Sequence, residues 1–140
     1  MTTIRVQVPA TSANCGPGFD CLGLALNLYN IFEFTPDANA TSFSYTFHGY
    51  GADLLEKEDP KKNLIGIAIE QVFAKAQEPI QYGHITSETL IPPSRGLGSS
   101  STAIVGGLLL ANNLVNNPLS KEELLIIANR MEGHPDNVAP

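Results

Sequence analysis

Residues 92–102 read PPSRGLGSSST, and these residue types suit one kind of chemistry, the holding of anionic oxygens. Gly96 and Gly98 let the chain turn tightly and approach a ligand with no Cβ in the way. Ser99, Ser100, Ser101 and Thr102 then open a helical pattern, and the first N–H groups of a helix have no acceptor within it. Together with the positive end of the helix dipole they form a cradle for phosphate, and the serine hydroxyls can serve phosphate or a Mg²⁺ ion. An ordinary glycine turn with a serine cap is the alternative that this segment alone leaves open. Two phosphate loops are excluded. A Walker A loop needs a Lys before its final hydroxyl residue, and no Lys stands between Lys75 and Lys121. A dinucleotide fingerprint needs a third glycine where Ser101 stands.

The elements that must position this turn are legible on either side of it. Ile4, Val6 and Val8 alternate with Arg5 and Gln7, predicting a strand that Pro9 ends. Residues 9–20, PATSANCGPGFD, form a loop of Pro, Gly and small polar residues. Residues 22–34 predict a second, longer strand with Leu22, Leu24, Leu26 and Leu28 on one face, and Phe43, Tyr45 and Phe47 predict a third. Apolar residues from Leu64 to Phe73 recur at intervals of three and four, predicting a helix from about Lys61 to Ala76 with Asp59 as cap and Pro60 in the first turn. A strand from His84 to Ile91 stops at Pro92 and Pro93. A helix from Ser99 to Val115 places Ile104, Leu108, Ala111 and Val115 on one face, and its Gly106 and Gly107 imply close packing on a neighbour. Ser120 and Glu123 read as a capping box for a last helix, Lys121 to about Met131. The pattern predicts an α+β domain, a mixed sheet with helices packed on it.

Composition narrows the function classes. The chain has 140 residues, enough for one domain or a piece of a larger one. Eight Lys and Arg against 14 Asp and Glu give a formal net charge of −6, which argues against a nucleic-acid partner. Apolar residues make 43% and charged ones 16%, so the chain should fold around a core rather than remain disordered. Cys15 and Cys21 form neither a CxxC pair nor a zinc spacing, and a reduced, cytoplasmic setting is expected; the pair reads as two small buried thiols or as an oxidation-sensitive site. The start, MTTIRVQV, lacks the pattern of a signal peptide. The apolar run from Ala103 to Ala111 is far short of the ~20 residues that span a bilayer, so no membrane partner is expected.

Three segments then carry a resemblance: PATSANCGPGFDCLGLAL, PPSRGLGSSST and EGHPDNVAP. In order and spacing they resemble the GHMP kinase superfamily, and the opening PATSAN and closing EGHPDN are most similar to its homoserine kinase branch. The resemblance implies the GHMP N-terminal domain, a two-layer fold like that of a ribosomal protein. It also implies that residues 1–140 are that ATP-binding domain, incomplete, with the C-terminal GHMP domain absent. The implied activity is ATP-dependent phosphorylation of the side-chain hydroxyl of L-homoserine on the way to threonine, with ATP and Mg²⁺ as cofactors. Homodimers are usual in the family, though the residues themselves set no oligomeric state.

The resemblance also assigns roles. Pro92, Pro93, Ser94, Arg95, Gly96, Leu97, Gly98, Ser99, Ser100, Ser101 and Thr102 would hold the nucleotide, and Ser100 with Glu132 would hold Mg²⁺ through hard oxygens. Asn14 and Asp20 would hold the substrate's amino-acid and hydroxyl ends, faced by His134, Asp136 and Asn137. Ser100, Glu132, Asp136 and Asn137 form the implied catalytic set, with Asp136 placing the acceptor before any role as a base. Two rivals remain: a kinase of the same superfamily for another small alcohol such as mevalonate, and a non-catalytic nucleotide-binding module.

Overall fold

Alternation builds the first strand as expected: β1 spans Ile4–Pro9, with Val8 buried and Arg5 and Gln7 exposed. It pairs antiparallel with β2, Tyr29–Pro36, setting Val6 opposite Phe32 and Val8 opposite Asn30. β3 spans Ser44–Gly49 and β4 Gly83–Thr89, and the sheet order is β1-β2-β4-β3. β4 runs antiparallel to β2 and parallel to β3. A parallel neighbour needs a crossover rather than a hairpin. That crossover contains α1 (Ala52–Lys57), a 3₁₀ turn (Pro60–Lys62) and α2 (Leu64–Ala76). Helices α3 (Ser99–Leu114) and α4 (Lys121–Glu132) follow, completing the expected α+β mixed-sheet architecture. The computed structural model describes residues 3–9, 29–91, 99–116 and 118–132, with the backbone alone at 99–101 and 132. The expected strand residues 22–28 lie outside this set.

Two boundaries differ from expectation, each because a polar side chain takes up backbone amides. The helix expected from Lys61 begins at Leu64, because Asp59 caps the separate 3₁₀ turn and Asn63 caps α2. The Lys61 N–H donates to Asp59 Oδ1 at 3.0 Å, and the Ile65 N–H donates to Asn63 Oδ1 at 2.9 Å. The strand expected to reach Ile91 ends at Thr89, because the amides of Leu90 and Ile91 leave the ladder for the side chain of Asn30. Helix α1 was not among the expected elements; six residues are too few for a periodic signal. The capping box formed as predicted, with Ser120 N–H donating to Glu123 Oε1 and Glu123 N–H to Ser120 Oγ. The Ser120 donors hold the Glu123 carboxyl below the usual carboxylate range, so the cap weakens as pH falls through that lowered value.

The core lies between the inward sheet face and the helices. Phe32, Phe34 and Ile85 from the sheet meet Ile65, Ile69, Val72 and Phe73 of α2 and Ile104, Leu108 and Ala111 of α3. Each of the larger of these side chains contributes roughly 1.5–3 kcal/mol by leaving water. That outweighs an exposed pair such as Arg5–Glu33 at 3.8 Å, for which about 0–1 kcal/mol is typical. Helix α3 is the central element, packed on α2, α4, β1 and β2. Its two glycines explain how: a Cβ on Gly106 would run into the Phe32 ring, and one on Gly107 would sit 2.5 Å from the Ile65 carbonyl oxygen. Among the described residues, no helix is long and apolar enough to cross a membrane.

The Gly107 contact is with backbone, which cannot swing aside. Gly107→Ala should therefore destabilise the protein by about 1–3 kcal/mol, although Ala favours a helix by ~1 kcal/mol over Gly. Urea denaturation checks this; an unchanged or raised midpoint would mean that the α2–α3 contact is looser than described.

Candidate functional site

The segment expected to hold phosphate is bracketed by two fixed ends. On the strand side Ile91 is fully buried, and its N–H donates to Asn30 Oδ1 at 3.1 Å, while the neighbouring Leu90 N–H donates to the same oxygen at 2.9 Å. On the helix side Thr102 is buried in the first turns of α3, and its Oγ1 accepts from Asn30 Nδ2 at 2.8 Å. One amide side chain thus reaches both flanks of residues 92–98.

Ser99, Ser100 and Ser101 form the first turn of α3, as the spacing predicts, so their backbone lies at the positive end of a 16-residue helix. Thr102 turns its hydroxyl into the fold rather than outward. Glu132 is the last residue of α4. The connection between α3 and α4 is short and tightly held: Asn112 Oδ1 accepts from the Leu119 N–H and its Nδ2 donates to the Leu119 carbonyl, both at 3.1 Å. A short connection between packed helices returns the second along the first. Helix α4 packs on both α3 and α2. Pro92, Pro93, Ser94, Arg95, Gly96, Leu97 and Gly98 lie outside the described residues, as do Asn14, Asp20, His134, Asp136 and Asn137.

The structure adds a feature that the sequence reading missed, a groove of about 440 Å³ beside the start of α3. Phe47, Tyr50, Leu54, Leu64 and Ala103 supply apolar walls, with Asn30 and Asn63 among the polar groups. Leu54 is 75% exposed and Tyr50 50% exposed, so the groove has an apolar surface with nothing over it among the described residues. Its wall depends on a tight exit from β3, where Gly49 has φ +88° and lies against the Thr89 carbonyl, leaving no room for a side chain. An apolar slot next to an anion-binding helix start suits a nucleotide, with the base in the slot and phosphates at the N–H groups. A second cavity, about 420 Å³ and lined by Phe43, Tyr45, Glu70 and Tyr82 among others, shares none of the loop-flanking residues. Burial pushes the Tyr45 phenol far up, keeping it protonated there.

Asn30 was also missed, although a signal exists. It stands in phase with Phe32 and Phe34, so the period of two turns it toward the core, and a polar residue in core phase demands partners.

Comparison with known proteins agrees with this architecture. The family model described as GHMP kinases N terminal domain matches residues 63–140. A homoserine kinase of Picosynechococcus sp. is 49% identical over 142 residues, covering 100% of this chain and 46% of the relative. The crystal structure of homoserine kinase from Cytophaga hutchinsonii superposes with a TM-score of 0.79 at 27% identity, covering 100% of this chain and 46% of that one. Mevalonate kinase from Methanococcus jannaschii shares the fold, with a TM-score of 0.64 at 14% identity over 95% of this chain and 48% of its own. The chain thus spans about half the length of the curated relatives it matches. With the family model matching more than half of the residues, and the expected helix start and mixed sheet in place, the chain belongs to the GHMP kinase family.

Proposed function

We propose that the full-length protein transfers the γ-phosphoryl group of Mg²⁺·ATP to the side-chain hydroxyl of L-homoserine, a cytoplasmic step toward threonine, and that this chain is its N-terminal, ATP-binding portion. The observation that carries the substrate assignment is the 49% identity to a homoserine kinase across the whole of this chain. The match to mevalonate kinase, at 14%, supports the fold alone.

The chain's own groups suit each part of the reaction. The apolar groove fits a nucleoside base, and the unpaired N–H groups of the first turn of α3 oppose phosphate charge. Ser100 and Glu132 supply a hydroxyl and a carboxylate, the hard oxygens that suit Mg²⁺, and the α3–α4 hairpin supports assigning them to one site. When bound, Mg²⁺·ATP supplies the phosphoryl group and the cationic charge that balances its oxygens. Asp20 can pair with the substrate ammonium, Asn14 and Asn137 can donate and accept, and His134 can bond a carboxylate or hydroxyl. Asp136 orients the acceptor. A loose phosphoryl-transfer transition state asks for alignment and electrostatic stabilisation more than for a strong base.

Release of ADP by the full-length protein with Mg²⁺·ATP should depend on L-homoserine and be absent with mevalonate, galactose, L-serine or no acceptor. Turnover of mevalonate instead would transfer the protein to another branch of the family, and nucleotide binding with no turnover on any acceptor would make it a binding module. In the same assay Ser100→Ala and Glu132→Gln should each lower turnover by about 10- to 100-fold while the thermal midpoint stays near that of the wild type. Wild-type rates in both would refute the metal assignment.

A further inference from the structure

We propose that Asn30 is a positioning residue for the nucleotide: its side chain, bonded at once to the strand end at Leu90 and Ile91 and to Thr102 in α3, sets where the anion-binding helix start stands relative to the strand that leads to it. The proposal rests on the nucleotide reading above and goes beyond it, since it assigns binding geometry to two buried groups through what they hold in place. Asn30 and Thr102 are each only 2% exposed, so they act from inside the fold.

Ending β4 would require only an acceptor, and Asn30 Oδ1 supplies it to the Leu90 and Ile91 amides. The other half of the amide goes elsewhere, to the Thr102 hydroxyl, 72 residues away in the sequence. That bond joins the sheet to α3 three residues after the helix begins. The strand end before residue 92 and the helix after residue 98 are thus held by one and the same side chain. Asn suits the position because one small planar group offers two acceptor lone pairs and N–H donors. Asp would bury a charge and lose the donor, and Leu would remove the acceptor of the Leu90 and Ile91 amides and the donor to Thr102. Burial strengthens the bonds to Ile91 and Thr102, where water does not compete. The groove reaches the same residue, because Asn30 and Ala103 both line it. A shift of α3 at this point would therefore move the base slot and the phosphate-holding amides relative to each other, and misplacement by about 1 Å is enough to cost two orders of magnitude in a reacting complex.

The test uses the full-length protein and Mg²⁺·ATP itself. Thr102→Val keeps the shape of the side chain and removes the acceptor, Thr102→Ser restores it, and Asn30→Ala removes all three bonds. Dissociation constants for Mg²⁺·ATP are measured by calorimetric titration well below each variant's thermal midpoint. The expected result is binding about tenfold weaker in Thr102→Val and weaker still in Asn30→Ala, with Thr102→Ser within about twofold of wild type. A double variant should lose less than the product of the two single effects, since both act on one bond. A purely structural role would lower the midpoint and leave the dissociation constant of the folded protein unchanged, and that result overturns the proposal. Should Asn30→Ala fail to fold, Thr102→Val decides alone, because it leaves both strand-end bonds intact. A wild-type protein that binds Mg²⁺·ATP without phosphorylating homoserine overturns the acceptor assignment only; one that binds no nucleotide overturns both.

Discussion

A single buried amide, Asn30, constrains much of what surrounds the site. Its oxygen ends β4 by taking two amides out of the ladder, and its nitrogen holds the hydroxyl of Thr102 near the start of α3. Leaving any one of these groups unpaired in the interior would cost about 1–3 kcal/mol, a large fraction of the 5–15 kcal/mol by which a domain is stable. The fold therefore retains a polar residue at a position that the strand period assigns to the core. In return, the strand end and the helix start keep a defined relation to each other.

Apolar packing fixes the rest of α3. Gly106 lets the helix lie on the Phe32 ring and Gly107 lets α2 approach through the Ile65 carbonyl, so the helix meets the sheet and its neighbour at backbone distance. Two glycines weaken a free helix by roughly 1 kcal/mol each, and burial of Ile104, Leu108 and Ala111 more than offsets that. The outcome is a helix held firmly along its length while its first-turn amides keep no acceptor inside the helix. A rigid mount with a reactive end suits a reaction in which alignment carries much of the rate.

The limits of sequence reading have physical causes here. Alternation in β1 and β3, the three-and-four spacing in α2 and the reciprocal Ser120–Glu123 box were legible because each is a local pattern with a local cause. Gly106 and Gly107 announced close packing for the same reason, though not the partners. What escaped was non-local. The end of β4 depends on an asparagine 60 residues earlier, and the groove is assembled from β2, β3, β4, α1, α2 and α3. At the start of α2, Asp59 and Asn63 are both good caps, and propensity does not tell which of them begins the longer helix. Of the expected site, the helix start at Ser99 and the end of α4 at Glu132 were legible from spacing, whereas the role of Thr102 as an inward partner was not.

The groove and the start of α3 are parts of one nucleotide site in this account, joined through Asn30 and Ala103. Hydrogen exchange of the full-length protein, followed by mass spectrometry with and without Mg²⁺ and a non-hydrolysable ATP analogue, tests that claim most directly. The account predicts slowed exchange at the amides of residues 99–103 together with those of residues 50–65, rising in parallel with analogue concentration. Protection confined to one of the two regions, or appearing at different concentrations in each, would contradict it.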